Sequence, residues 1–453
     1  MRTRSVRGRW SASVLGLTLL VGACGGSAAP SPSPTIGGAA TSGAPSPSGN
    51  ASVCGSSDAT LTVLHVWTGA DPKAAPMKDA LAGFAKLCPN ITVKTSTAPD
   101  PETEQTQYET AKLAGTEPDI VITNLFAKAT SWLQNGATVD VAPYVDAWGL
   151  KSLIDPVALQ EWTARDGRIQ AIPFEGFTWP VWYNTAILRK AGVAEIPKTT
   201  DELIAAAARI RAAGFQPFAT SGKDWNGNKV FSAVIETLVS DDELAAAYSA
   251  GDWTNPKIKA GIELFAKLRD AGVFVDNVAG TSYDEMVAQF NGRKAAIMFN
   301  GSWGYGGTPA DVASDVVLGG FPLPAGAARQ KPIWYSAFTA TSFWISPNGA
   351  KNIDAARAFI TYFYRPEVLG DFVEKAGIAV PVPFDKVQVD RTKLNPLYLQ
   401  ATQLPDRVIH AVLPDYYVPA ASASGFERAT SLAYTPGTSV DAIVKALQEA
   451  WQH

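Results

Sequence analysis

The sequence predicts an α/β protein built as two lobes, each a mainly parallel sheet flanked by helices. Three observations lead there. Over residues 61–124 the chain alternates strand, helix, strand, helix, strand, the order that yields a parallel sheet with right-handed crossovers. In the second half, Ala295-Ala-Ile-Met-Phe299 is an unbroken apolar run, the pattern of a strand buried on both faces. At 453 residues the chain is also long enough for two such units.

The leader comes first. Arg2, Arg4, Arg7 and Arg9 make a basic segment, and residues 14–23 are apolar. That apolar stretch is shorter than the roughly 20 residues of a membrane-spanning helix, so 1–23 reads as a signal peptide. Leu20-Val-Gly-Ala-Cys24 resembles a lipobox, the site at which cleavage leaves an acylated cysteine. Cys24 is therefore the expected lipidation site. Several acyl chains together anchor stably, because each buried methylene adds about 0.8 kcal/mol and one chain alone is marginal. Ordinary cleavage after Ala23, leaving a plain Cys24, is the alternative. Residues 24–57 then form a disordered Ser/Pro/Gly tether, too poor in large apolar residues to offset its ordering entropy.

Residues 61–67, Leu-Thr-Val-Leu-His-Val-Trp, form the first strand and run into the loop Thr68-Gly-Ala-Asp-Pro72. Met77, Leu81, Phe84 and Leu87 recur at helical spacing and predict a helix over 75–87, stopped by Pro89. Residues 91–95 are a second strand, 102–114 a helix ended by Gly115, and 119–124 a third strand. Trp67, Asp71 and Asn124 thus fall at carboxyl ends of strands, where open α/β sheets bind ligands. His65 alternates within the first strand and reads as a core histidine. Cys54 precedes the first strand and Cys88 the second. In neighbouring parallel strands both would lie at one end of the sheet, where an oxidising compartment lets them bridge. Two free thiols are the alternative. A loop-rich edge follows over 139–153, then a hairpin turn at Asp166-Gly167.

Pro173 marks the first passage between lobes. Phe174-Glu-Gly-Phe-Thr-Trp-Pro180 would cross the floor between them and present Glu175 and Trp179; a solvated loop carboxylate is the bland reading of Glu175. Thr199-Thr-Asp-Glu202 caps an Ala-rich helix closed by Gly214. A strand over 216–220 leads into the loop 221–228 with Trp225, and helices follow at 229–238, 241–249 and 256–271. Ser282-Tyr-Asp-Glu285 is a capping box opening a short helix that ends at Gly292. After the buried run come the turn residues Asn300-Gly301-Ser302 and then Trp303, whose neighbouring glycines argue for a loop over a core position. Residues 334–345, beginning with Trp334, lead back to the first lobe, and Pro381-Val-Pro383 makes a third crossing. The end of the chain returns to the second lobe with Asp415 and a last helix over 439–451. The expected limits are 58–172 with 338–379 for the first lobe, and 173–337 with 380–453 for the second.

A formal net charge of -4, with no basic run beyond the leader, argues against a nucleic-acid partner. The 3 His and 3 Cys lack ligand spacing, which argues against a metal. Neither a phosphate-cradling Gly-x-x-x-x-Gly-Lys-Ser/Thr loop nor a Gly-x-Ser-x-Gly elbow occurs, and no cofactor is expected.

Gly292-Arg-Lys-Ala-Ala-Ile-Met298 followed by Asn300-Gly-Ser-Trp303 resembles a signature of the carbohydrate-binding solute-binding proteins of bacterial ABC importers, the class that includes maltose-binding protein. Ile172-Pro-Phe-Glu175, Trp182-Tyr-Asn-Thr185 and Leu188-Arg-Lys-Ala-Gly192 are similar to the family's crossover segment. The resemblance runs from about Leu61 to the end. It implies a two-lobe periplasmic-binding-protein-like fold with a hinge of three crossings, and binding without catalysis. It further implies a monomer that holds a sugar between its lobes and passes it to membrane permease subunits. With the lipobox, this places the protein at the outer face of the cell membrane on a lipid anchor.

Sugar rings present apolar C–H faces between polar rims, so a site for them needs aromatic plates and directed hydrogen bonds. On loop position and resemblance, the expected ligand-binding residues are Trp67, Asp71, Asn124, Glu175, Trp179, Trp225, Asn300, Gly301, Trp303, Trp334 and Asp415, with Asp224 as a further hydroxyl acceptor. Two rivals stand beside this. A secreted glycoside hydrolase also combines Trp with paired carboxylates. A solute-binding lipoprotein for a non-sugar such as a peptide would want basic anchors, for which Lys223 is the obvious crevice residue.

Overall fold

The computed structural model describes residues 51–453 except 70, 126, 165, 404–408, 412 and 453. The expected signal peptide, Cys24 and most of the tether lie outside the described residues. In chain order the strands are β1 (Ala59–His65), β2 (Ile91–Thr97), β3 (Ile120–Asn124), β4 (Ile172–Pro173), β5 (Phe177–Trp179), β6 (Val181–Asn184), β7 (Gln216–Ala219), β8 (Ala295–Phe299), β9 (Val316–Gly319), β10 (Ile333–Ala337), β11 (Thr341–Ile345) and β12 (Ile409–Ala411).

The first lobe is built on a five-stranded sheet in the order β2-β1-β3-β11-β4. β1 pairs parallel with both β2 and β3, and β11 runs antiparallel between β3 and β4. The second lobe holds the order β7-β8-β6-β9, with β7 and β8 parallel and β6 antiparallel to both its neighbours. Each sheet is thus mainly parallel with one reversed strand. The reversal follows from connectivity. β6 enters its sheet directly after β5, and β11 directly after β10, so neither has the helical crossover that brings a parallel strand round.

Local chemistry accounts for the flanking helices. Asp100 accepts the Thr103 N–H at 2.7 Å and starts the helix Pro101–Leu113, with proline in its first turn. Thr199 and Ser282 each close a reciprocal capping box with the glutamate three residues on. The helix Ala74–Leu87 buries Met77, Ala80 and Phe84, and Phe84 meets Phe359 edge-on at 5.4 Å. All five residues of β8 are buried, the environment its unbroken apolar run anticipates.

Two stretches differ from expectation. The edge expected to be loop-rich contains a helix, Ala142–Ala147, with a proline in its first turn, and a 3-10 turn, Leu150–Ser152. The helix expected from residue 229 begins earlier, spanning Trp225–Glu236, because Asp224 accepts the Asn226 N–H and acts as its cap.

Cys54 and Cys88 form a disulfide with Cα atoms 5.4 Å apart. It ties the short helix Ala51–Cys54, inside the stretch expected as tether, to the end of the helix Ala74–Leu87.

Three passages join the lobes. The first runs through β5 and the second through β10, and these two pair antiparallel from Tyr335–Trp179 to Ala337–Phe177. The third passes Ala379, whose carbonyl accepts the Gly176 N–H at 2.7 Å. Gly176 has no room for a side chain: a β-carbon would stand 2.6 Å from the Phe338 ring and 3.1 Å from the Ala337 oxygen. Beyond the third passage the helix Pro396–Ala401 packs on β9, and Ala423–Ala433 packs on Trp225–Glu236.

Candidate ligand-binding site

On the second-lobe side, the site is aromatic. Trp303 lies half-buried in the 3-10 turn Ser302–Gly304, directly after β8. Its ring covers Gly301, where a β-carbon would sit 2.1 Å from ring atoms, so this close approach requires glycine. Trp303 meets Trp179 edge-to-face at 4.8 Å and Phe177 at 5.9 Å. Trp225 stacks on Tyr283 at 4.9 Å and lies 5.6 Å from Trp179. Trp225 is 39% exposed, whereas Trp179 is 2% exposed and enclosed by its neighbours.

A chain of hydrogen bonds fixes the plates. The Trp303 indole N–H donates to the Tyr283 hydroxyl at 2.7 Å, and that hydroxyl donates to Asn300 Oδ1 at 3.1 Å. Asn300 Oδ1 also accepts the Gly301 N–H at 2.9 Å, while its buried Nδ2 has no partner. Burial pushes the Tyr283 phenol up to about 12, against the pull of Trp303 and Asn300, so it remains a neutral donor at physiological pH.

On the first-lobe side, the site is charged. The Lys73 ammonium lies 3.2 Å from both oxygens of Glu175, and the Thr341 hydroxyl donates to the same carboxylate. Burial alone would lower the Lys73 ammonium, but Glu175 and then Asp71 outweigh it and hold it above its ordinary value. Asp71 accepts the Lys73 N–H at 2.8 Å and so shapes the same loop. Asn124 closes β3 opposite Thr341 in the register. Behind them Glu104 is fully buried, and burial drives its carboxyl well above the usual range despite the Thr123 hydroxyl. The two sides meet where Gly306 approaches the Pro72 ring.

The expected residues therefore fall into separate groups. Trp179, Trp225, Asn300, Gly301 and Trp303 share the aromatic cluster. Asp71 and Glu175 gather around Lys73, and Asn124 lies opposite Thr341 in the register. Trp67 is 2% exposed and packed against Phe174 at 5.8 Å and Phe372 at 5.5 Å, with Lys73 Nζ 5.7 Å from its ring centre. It is a support beneath the lysine, not an open plate. Trp334 is buried on β10, opposite His410 of β12. Asp415 lies in the 3-10 turn Pro414–Tyr417, and its side chain is outside the described residues. Asp224 is occupied: it caps its helix, takes the Ser221 hydroxyl and accepts the Tyr283 N–H at 2.8 Å.

Sequence reasoning passed over Lys73, Tyr283 and Thr341. Lys73 stands two residues after Asp71 in a strand-end loop, a position that could have drawn attention. Tyr283 is the first residue of a capped helix and carries no local signal. Among the described residues no group of three or more His, Cys, Asp or Glu could hold a metal ion. The arrangement offers flat apolar faces, a neutral donor network and one ion pair. It suits holding a solute in a cleft between lobes.

A model of one family, described as bacterial extracellular solute-binding protein, matches residues 68–370, more than half of the chain. The chain belongs to the bacterial extracellular solute-binding proteins. The crystal structure of a probable secreted solute-binding lipoprotein from Streptomyces coelicolor is 39% identical, with a TM-score of 0.77, covering 88% of this chain and 100% of that one. An uncharacterized ABC transporter extracellular-binding protein of Pyrococcus horikoshii is 26% identical over 381 residues, 76% of this chain and 80% of the relative. A probable sugar-binding periplasmic protein of Brucella melitensis is 30% identical over 180 residues, 39% of this chain and 41% of its own length. This solute-binding protein shares its two-lobe architecture with the Streptomyces structure over nearly its whole described length.

Proposed function

We propose that this protein captures a short sugar between its lobes and delivers it to the permease of an ABC importer, held at the outer face of the membrane by acyl chains on Cys24. The observation that carries the reading is the aromatic group of Trp225, Trp303 and Tyr283, tied by hydrogen bonds to Asn300. Indole faces match the C–H face of a pyranose, and Asn300 fixes the plate through the Tyr283 hydroxyl. The Lys73–Glu175–Thr341 group on the other lobe supplies charge-assisted hydrogen bonds to hydroxyls. The sugar-binding relative supports the same class of ligand.

A thermal-shift screen of the purified chain against maltose, raffinose, xylobiose and chitobiose tests it. A binder raises apparent stability as RT ln(1 + [L]/Kd). At least one sugar should raise the melting temperature with concentration, and none should be hydrolysed. A screen in which every sugar is silent while peptides stabilise the protein would sink the proposal.

A further inference from the structure

Phe338 lies in the short link by which the second passage goes from β10 to β11, and both polar groups of its main chain are held by side chains. Its N–H donates to the Glu161 carboxylate at 2.6 Å, and its carbonyl accepts the Trp162 indole N–H at 2.6 Å. Glu161 and Trp162 are consecutive at the end of the helix Pro156–Glu161. The Phe338 ring lies against Gly176 of the first passage, and the Gly176 N–H donates to Ala379 of the third. One residue therefore touches all three connections, directly or through a single neighbour. A strand ladder would satisfy such groups with another backbone; here two side chains do so, and a rotamer change can release them.

We propose that Glu161 and Trp162 are positioning residues that clamp Phe338 and set the pivot about which the two lobes move. The proposal rests on lobe motion around these passages, part of the capture reading above. Trp162 is a stiff arm: it is fully buried and meets Trp344 of β11 edge-to-face at 5.3 Å. Glu161 is only partly buried and is the arm that can let go.

The Glu161 arm is also sensitive to pH. Burial pushes its carboxyl up to about 7, the Phe338 N–H pulls it back, and Asp155 of its own helix raises it further. On the packed strand β4, Ile172 and Pro173 are uncharged, and the second passage presents the Phe338 N–H alone. Burial is the larger effect, so a pivot state in which the Glu161 carboxyl swings into water holds the proton less tightly than the seated one. Raising the pH through neutrality therefore favours release.

The test is hydrogen–deuterium exchange at the Phe338 amide in the full chain without ligand, corrected for intrinsic rate, between about pH 6 and pH 8, on either side of the displaced pKa. Wild type, Glu161→Gln and Trp162→Phe are compared, with small-angle scattering on the same samples. Wild-type protection should fall about fivefold or more toward the alkaline end, the lower range of site-to-site coupling. Glu161→Gln should show no pH dependence. Trp162→Phe should keep the pH dependence at reduced protection, and both variants should alter the scattering profile. Unchanged pH dependence in Glu161→Gln would overturn the clamp. So would lost protection with an unchanged scattering profile, since the contact would then be local. Wild-type scattering with and without maltose or raffinose reads lobe closure separately, so failure of the capture reading remains distinguishable.

Discussion

The indole of Trp303 and the phenol of Tyr283 are joined by a 2.7 Å hydrogen bond that runs from the turn after β8 to the first turn of a capped helix. This bond holds the more sheltered plate of the site upright. Trp303→Ala should weaken sugar binding by about 2 kcal/mol or more, the scale of an interface hot spot. Tyr283→Phe removes the hydroxyl that links Trp303 to Asn300 and should cost about 1 kcal/mol of affinity. Calorimetry on both variants checks this. Trp303→Ala retaining full affinity with a much lower melting temperature would assign the ring to the core instead.

The ion pair between Lys73 and Glu175 joins residues 102 apart in sequence, and Glu175 is 3% exposed. Lys73→Met leaves that carboxylate buried and unpaired, a loss of about 3–5 kcal/mol. Lys73→Met with Glu175→Gln should cost clearly less than the sum of the singles. Urea unfolding of the three variants gives the coupling, and strict additivity would mean the pair is energetically idle.

The disulfide spans 34 residues. In the chain-entropy model a loop of that size contributes about 3–4 kcal/mol. Replacing both Cys54 and Cys88 with serine should lower the urea midpoint accordingly, with the aromatic site intact. An unchanged midpoint would show that the native helix Ala51–Cys54 needs no covalent tie.

His65 is 4% exposed, and burial lowers its pKa to about 4, with Asp71 opposing. The unfolded imidazole titrates near its ordinary 6.5. Between those values the unfolded chain binds more protons, so this residue makes stability fall as pH drops, by up to about 3 kcal/mol. Glu161 acts in the opposite sense between its ordinary 4.5 and about 7, where the folded state holds the extra proton. His65→Asn keeps an acceptor for the Trp67 N–H and should reduce the acid destabilisation. Stability measured at several pH values in both proteins gives the difference, and identical pH slopes would refute it.

Anchoring has a direct assay. Cys24→Ala should release the protein from membranes into the soluble fraction, since among the described residues no helix is long and apolar enough to span a bilayer. Membrane association that survives both this change and a salt wash would remove the lipid anchor from the account.

Much of the architecture was legible in the residues. The alternation over 61–124, the capping boxes at Thr199 and Ser282 and the apolar run of β8 depend on short-range sterics, backbone hydrogen bonding and periodicity. Gly301 marked a turn in the sequence, whereas the close approach of the Trp303 ring to it is a property of the folded turn. What tertiary structure alone decided is which distant groups meet. Trp67 and Trp303 look alike in sequence, each a tryptophan at the end of an apolar strand, yet the helix carrying Phe372 covers the first and leaves the second half-open. Asp224 looked free until the helix beginning at Trp225 took its carboxylate as a cap. Lys73 with Glu175, Tyr283 with Trp303, and Glu161 with Phe338 have no local signature. Such pairs form because closing the three passages brings their elements together, and a buried charge or donor must then find a partner there.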